Sequence, residues 1–458
     1  MSTGQRPRAA ETRPSVDPNN PSTIEQSLAG RAGIGPVALF SIAQMIGTLA
    51  SKGLTACNPL CTPDWLKRAH INGGNMKIEK LLFRGLRLVV GLVLFGAAPA
   101  IAGVHLIDVI RVPDRALTSF DISWVDGPSE TYFLADRSNF GVDIYSAEDN
   151  TFITRLPGFV GPSTSNDTAG PNGVVEIHSL HQLWAGDGDS TVKVFDLRAD
   201  PPRRIDVIHT GGEKRADEMA FDQRDHVLLV ANDADDTPFV TFISTSSREV
   251  LGRIFFDGVQ AHLATNGLEQ PIWDPDTQLF YLSVPEINGN PATGEIAVID
   301  PRSMAVVNAF PVSQCQPAGL AEGPFDNVLV GCANHDGVPF PPKLIVLDIR
   351  TGAVLANITQ VGGADEVWFN EGDNRFYVAA RDNPSGPVLG VIDAVTNTWI
   401  ENVPTAFNAH SVAADRKNNH IFVPLRPPRA GQRDPNPCVA FGGPSFAGRG
   451  CIGVYAND

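Results

Sequence analysis

The sequence predicts an all-β fold, a seven-bladed β-propeller closed by an N-terminal strand that completes the last blade. Three observations carry the prediction. One unit of strands and turns recurs seven times, with starts 51, 45, 52, 47, 49 and 45 residues apart. Each unit holds three strand-like runs and six hold a fourth, the strand count of a propeller blade. One further run, Val104 to Ile110, precedes the first unit and has no unit of its own.

The units start at Asp121 (DISWVD), Asn172 (NGVVEI), Asp217 (DEMAFD), Glu269 (EQPIWD), Gln316 (QPAGLA), Asp365 (DEVWFN) and His410 (HSVAAD). Each start opens a short apolar first run. Turn residues follow, as in Asn370-Glu371-Gly372-Asp373-Asn374. The second runs are TYFLADR, HQLWAGDGD, HVLLVANDAD, QLFYLSVPE, NVLVGCANHD, RFYVAARD and HIFVPLRPP, mostly rich in β-formers. The third runs are VDIYSA, VKVFDL, FVTFIS, IAVIDP, LIVLDI, LGVIDA and IGVYAN. A fourth follows in six units, for example Thr151 to Leu156, Glu249 to Phe255 and Val354 to Ile358. The seventh unit ends after three. Val104 to Ile110, placed beside Ile452 to Tyr455, supplies the missing strand and removes two exposed sheet edges.

Residues 1–75 do not belong to this pattern and read as an extension of the gene model or a disordered segment. From Met76 a basic run leads into the apolar stretch Leu88 to Ala98, and Ala100-Ile101-Ala102 is a small-residue cleavage signal. Residues 76–102 therefore have the form of a secretory signal peptide, too short and too basic inside for a permanent span. The propeller takes residues 103–458. Export implies a periplasmic or secreted protein with no stable membrane span after cleavage; a monomer is expected.

The whole chain carries 35 basic and 51 acidic side chains, a net charge of -16. The first 102 residues hold 11 basic and 5 acidic ones, so the propeller keeps 24 and 46. A body this acidic repels phosphate backbones, which excludes nucleic acid as a partner, and attracts cations. Two local disulfides, Cys315–Cys332 and Cys438–Cys451, suit an oxidising compartment; free buried thiols are the alternative. There is no CxxCH for covalent haem c. No P-loop or Rossmann fingerprint offers a nucleotide site, and no GxSxG or HExxH motif is present.

The second runs FYVAARD, LLVANDAD and FYLSVPE, with the VID and VLD turns after the third runs, resemble YVTN-type propeller repeats of exported bacterial and archaeal proteins. The similarity covers residues 103–458. Its motifs are structural, and the architecture hosts lactonase-like enzymes, cytochrome d1-haem-like domains and exported proteins of no known activity.

In a propeller the first strand of each blade lines the central channel. The turn entering it shares a face with the turn between second and third strands. All seven entry positions are oxygen or imidazole ligands. Asn172, Asp217, Glu269 and Asp365 are the expected set for Ca2+ or another divalent cation. Lactonase-like propellers of the gluconolactonase and regucalcin type hold such a metal in the channel, where it polarises a carbonyl. That resemblance implies a metal-assisted hydrolase or lyase, with the entry acids as ligands, His410 or a metal-bound water as base, and Glu366 with His410 as the catalytic residues. The other reading is a channel face that binds a small ligand or protein partner without catalysis, using Arg137, Glu218, Arg381 and Arg426. The same acids also serve as turn formers in a wet channel, and the arginines as partners of neighbouring acids. Trp124, Trp273 and Trp368, in the middle of first strands, are expected to pack between blades.

Overall fold

The computed structural model describes residues 103–333, 338, 340–429, 431 and 436–457. The extension and signal peptide expected over 1–102, and the second-strand exit at Asn334 and His335, lie outside the described residues. Seven four-stranded antiparallel sheets follow one another along the chain. Blade one is Ser123–Asp126, Thr131–Asp136, Gly141–Ser146 and Thr151–Pro157, paired in that order. Blade six is Val367–Asn370, Arg375–Ala380, Val388–Asp393 and Thr398–Pro404.

Blade seven takes Ala413–Ala414, Ile421–Leu425 and Cys451–Asn457 from the end of the chain and Val104–Ile110 from its beginning. The register runs from Val104 opposite Asn457 to Ile110 opposite Ile452. The N-terminal strand therefore completes the last blade, as expected.

Many of the turns share one chemistry. At the end of a first strand, Asp222, Asp274 and Asp415 each accept the amide two residues on, forming Asx-turns. Asp196, Asp300, Asp348 and Asp393 do the same after the third strands. The VID and VLD signatures are thus turn initiators. The second strands are the most buried, as Val227–Asn232 shows with six buried residues in a row. Core clusters sit between adjacent blades: one joins Phe133 and Val142 of blade one to Val174 and Leu183 of blade two.

One regular feature is invisible in the sequence pattern. Every outer strand pair slips register by one residue at the same point. The residues left opposite nothing are Ile107, Ile153, Ile205, Leu251, Val307, Leu355 and Ile400, one apolar side chain per blade. A bulge of this kind raises the local twist, which the edge of a propeller blade needs. Ile107 occupies the same place in the N-terminal strand as the other six in theirs, so that strand is a fourth strand in geometry as well as in position.

Both disulfides are formed, with S–S distances of 2.02 Å for Cys315–Cys332 and 2.12 Å for Cys438–Cys451. Two disulfides suit an oxidising environment. Among the described residues no helix is long and apolar enough to cross a membrane.

Candidate functional site: an acidic channel mouth

The backbone places the entry residues by one repeated device. The amides of Asp121, Asn172, Asp217, Glu269 and Asp365 donate to Ala135, Gly186, Ala231, Ser283 and Ala379, at 2.8–3.1 Å. Each acceptor lies at or just before the end of a second strand. The residue after each entry position closes a second bond, its carbonyl accepting the amide of that same residue. Entry side chains of several blades are thereby carried to one end of the channel.

Asp121, Asp217, Glu218 and Glu366 are buried there, and Asp365 and Glu269 are half-buried. With Asp233 they make seven carboxyl groups against the guanidinium groups of Arg137, Arg215 and Arg381. Arg137 pairs with Asp121 and donates to Asn172 Oδ1 at 3.1 Å and Asn166 Oδ1 at 2.6 Å. Asn172 also donates its Nδ2 to the Ala216 carbonyl at 3.0 Å, so both ends of its amide are engaged. Arg381 holds Asp365 at 2.6 Å and Asp382 at 3.3 Å.

Sequence reasoning missed the centre of the network. Arg215 reaches Asp217 at 2.9 Å, Asp233 at 2.6 Å and Asp121 at 3.9 Å, joining blades one and three. It lies two residues ahead of the entry position. The corresponding places in blades two, four and six are Gly170, Gly267 and Gly363. At Gly170 a Cβ would come within 1.9 Å of Asp187 Oδ1, so no side chain fits there. An arginine at an otherwise glycine-prone offset was the available signal.

His410 stacks on Phe120 with ring centroids 4.6 Å apart. Its Nε2 lies 3.4 Å from Asp121 Oδ1 and its Nδ1 lies 2.9 Å from the Asn408 carbonyl. Glu366 accepts the Val412 amide at 3.4 Å. Arg426 stands apart from this network. Its guanidinium lies over the Phe407 ring at 5.6 Å, and among the described residues no ion pair is recorded for it.

The electrostatics are lopsided. Burial pushes Asp217 well above the usual carboxylate range, and Asp233 and Asp121 add to the rise against the pull of Arg215. Burial raises Glu218 as well, followed by repulsion from Glu366, Asp217, Glu269 and Asp365. Glu269 and Glu366 move the same way, burial leading. Asp121 goes down despite burial, because Arg137, His410 and Arg215 favour its charge. Asp217 Oδ1 and Glu218 Oε2 are buried with no hydrogen-bond partner. A buried carboxylate oxygen without a donor is costly unless protonated or met by a cation. Beside the mouth, Asp167, Asp233, Asp235, Asp236 and Glu269 line a polar pocket of about 560 Å3.

The opposite end of the channel is different. Trp124, Phe221, Trp273, Trp368 and Phe369 line a cavity of about 640 Å3. The tryptophans pack against blade cores, as expected, but they also face the channel. Trp124 meets Trp368 edge to face at 5.2 Å, although blade seven lies between their blades. The first strand of that blade offers only the small Ala413-Ala414.

No family model matches this chain, and no curated protein matches it. Among solved structures, the chain is similar to one in the crystal structure of the mitotic checkpoint complex, at 12% identity and a TM-score of 0.55. The match covers 72% of this chain and 91% of that one. At this identity the likeness shows the propeller fold alone.

Proposed function

We propose that this chain is a binding propeller whose acidic channel mouth takes a divalent cation, alone or as the anchor for a small ligand. The observation that carries the reading is the pair of orphaned buried oxygens, Asp217 Oδ1 and Glu218 Oε2, inside a ring where carboxylates outnumber guanidinium groups. Oxygen donors without nitrogen or sulfur suit a hard ion such as Ca2+. Asp217 and Glu218 are the mouth acids with an oxygen left unpartnered. Asn172 and Asp365, though at the same mouth, are already engaged by Arg137 and Arg381. The ion would supply positive charge where the protein has collected negative charge, and Arg381, the more exposed of the two arginines, would meet an anionic portion of any ligand it anchors.

Calorimetric titration of Ca2+ into the chelator-treated full chain tests this. Saturable binding is expected, weakened at least about tenfold by Glu218→Gln, together with a rise in melting midpoint on adding Ca2+. No heat and no shift would sink the reading. Hydrolysis of a lactone panel that depends on Ca2+ and falls in His410→Ala would move the protein to the metal-assisted hydrolases instead.

A further inference from the structure

A second cluster lies at the other end of the channel, on the seam between blades one and two. Asp126 ends the first strand of blade one, Glu176 sits in the first strand of blade two, and His178 opens the turn after it. One ligand atom from each lies within 4.8 Å of the others. We propose that Asp126, Glu176 and His178, joined by His181, form a site for a first-row transition-metal ion, Zn2+ above all.

The hydrogen bond from His178 Nδ1 to Asp126 Oδ2, at 3.0 Å, accounts for two of these residues by itself. It does not account for Glu176. That side chain is only 8% exposed, it lies beside another carboxylate, and its Oε2 has no hydrogen-bond partner. Asp126 is locked in place, since the Ser129 hydroxyl and amide bond its Oδ2 at 2.5 and 2.9 Å. A proton shared with Asp126 meets only part of this need, and the unpartnered Oε2 of Glu176 leaves room for a positive group arriving from outside the protein.

The ligand types choose the ion. An imidazole with two carboxylates suits Zn2+ and its neighbours, whereas Ca2+ takes oxygen ligands. The local sequence, Glu176-Ile177-His178-Ser179-Leu180-His181, adds a second imidazole through a single 3-10 turn. The two rings are tilted with centroids 5.4 Å apart. Two imidazoles on one tetrahedral ion, each at a metal–nitrogen distance of about 2.0–2.1 Å, place their centroids roughly 5 Å apart. His178 and His181 are exposed, so a small rotation brings them onto the ion without disturbing the core. Asp126 and Glu176 also line the aromatic cavity, which gives the ion a path in from solvent.

The test is calorimetric titration of Zn2+ into the full chain, prepared without a histidine tag and stripped with chelator. Saturable binding of one ion in the presence of excess Ca2+ is expected. Glu176→Gln and His178→Ala should each weaken it at least about tenfold, and His181→Ala should weaken it measurably. Asp217→Asn with Glu218→Gln, at the opposite mouth, should leave it unchanged, which separates this site from the Ca2+ reading above. His178 is exposed, so His178→Ala folds even if Glu176→Gln does not. Absence of saturable Zn2+ uptake, or uptake indifferent to His178→Ala, overturns the proposal. So does displacement of Zn2+ by Ca2+ at equal concentration.

Discussion

At the scale of single residues, Arg215 is the position whose loss has the clearest consequence. It is the cation shared by Asp121, Asp217 and Asp233. Removing one partner of a buried ionic network leaves uncompensated charge, which costs about 3–5 kcal/mol. Arg215→Met is expected to lose that much in denaturant unfolding, and to recover part of it at mildly acid pH, where the acids can take up protons. A loss under about 1 kcal/mol would show that the mouth acids do not depend on it. The residue escaped a reading of the sequence for a physical reason. Entry positions were found by aligning strand starts, and strand periodicity says nothing about the loop just upstream. Asp217, Glu218 and Asp365 were legible as mouth residues because the repeat fixes their place on the first strand. Their partners were not, since a guanidinium reaches across blades and contacts of that kind leave no periodic trace. Arg426 shows the converse: its offset matched the other exits, but its side chain stacks on Phe407.

At the scale of elements, strand number, order and the closing strand were legible, because alternation and turn residues are local. The bulge in every outer pair was not. It depends on the partner strand, and an extra apolar residue in a run such as VHLIDVI looks like ordinary β sequence. Its role predicts the effect of a single deletion. Removing Ile107 joins Leu106, opposite Tyr455, directly to Asp108, opposite Val454, so every pairing of the closing strand is kept in register and only the bulge and its local twist are lost. Val104, Val109 and Ile110 keep their buried faces, and the cost is the lost twist and the packing of one half-buried isoleucine, about 1–3 kcal/mol. The deletion is expected to lower the denaturant midpoint by more than Ile107→Ala, which removes the same packing but keeps the bulge and its twist. Equal effects would mean that the bulge contributes nothing beyond the packing of Ile107.

At the scale of the whole molecule, part of the acid that composition announced is concentrated in buried positions, at the channel mouth (Asp121, Asp217, Glu218 and Glu366) and within a blade (Asp136 and Asp143). That concentration predicts how stability follows pH. Glu322 is raised to about 7, first by burial and then by Asp274, Asp326 and Asp276, with Arg350 opposing. Asp136 is raised to about 8 by burial and Asp143, with Asn139 and Arg155 opposing. A carboxyl whose folded pKa lies above its unfolded one binds protons more tightly in the folded state. Its stabilising contribution is complete below the unfolded value, about 4, and is lost as pH rises through the folded value. The mouth acids Glu218, Glu269 and Glu366 act in the same direction. Asp121 opposes them only in strong acid, because its folded value is depressed. The melting midpoint at constant ionic strength should therefore be higher near pH 5 than near pH 8. Glu322→Gln should flatten part of that slope, since an amide cannot ionise. Added Ca2+ should flatten more of it at the alkaline end, because a cation at the mouth replaces the protons that the acids have lost. A midpoint that climbs steadily from pH 5 to pH 8 in chelator would contradict this distribution of charge.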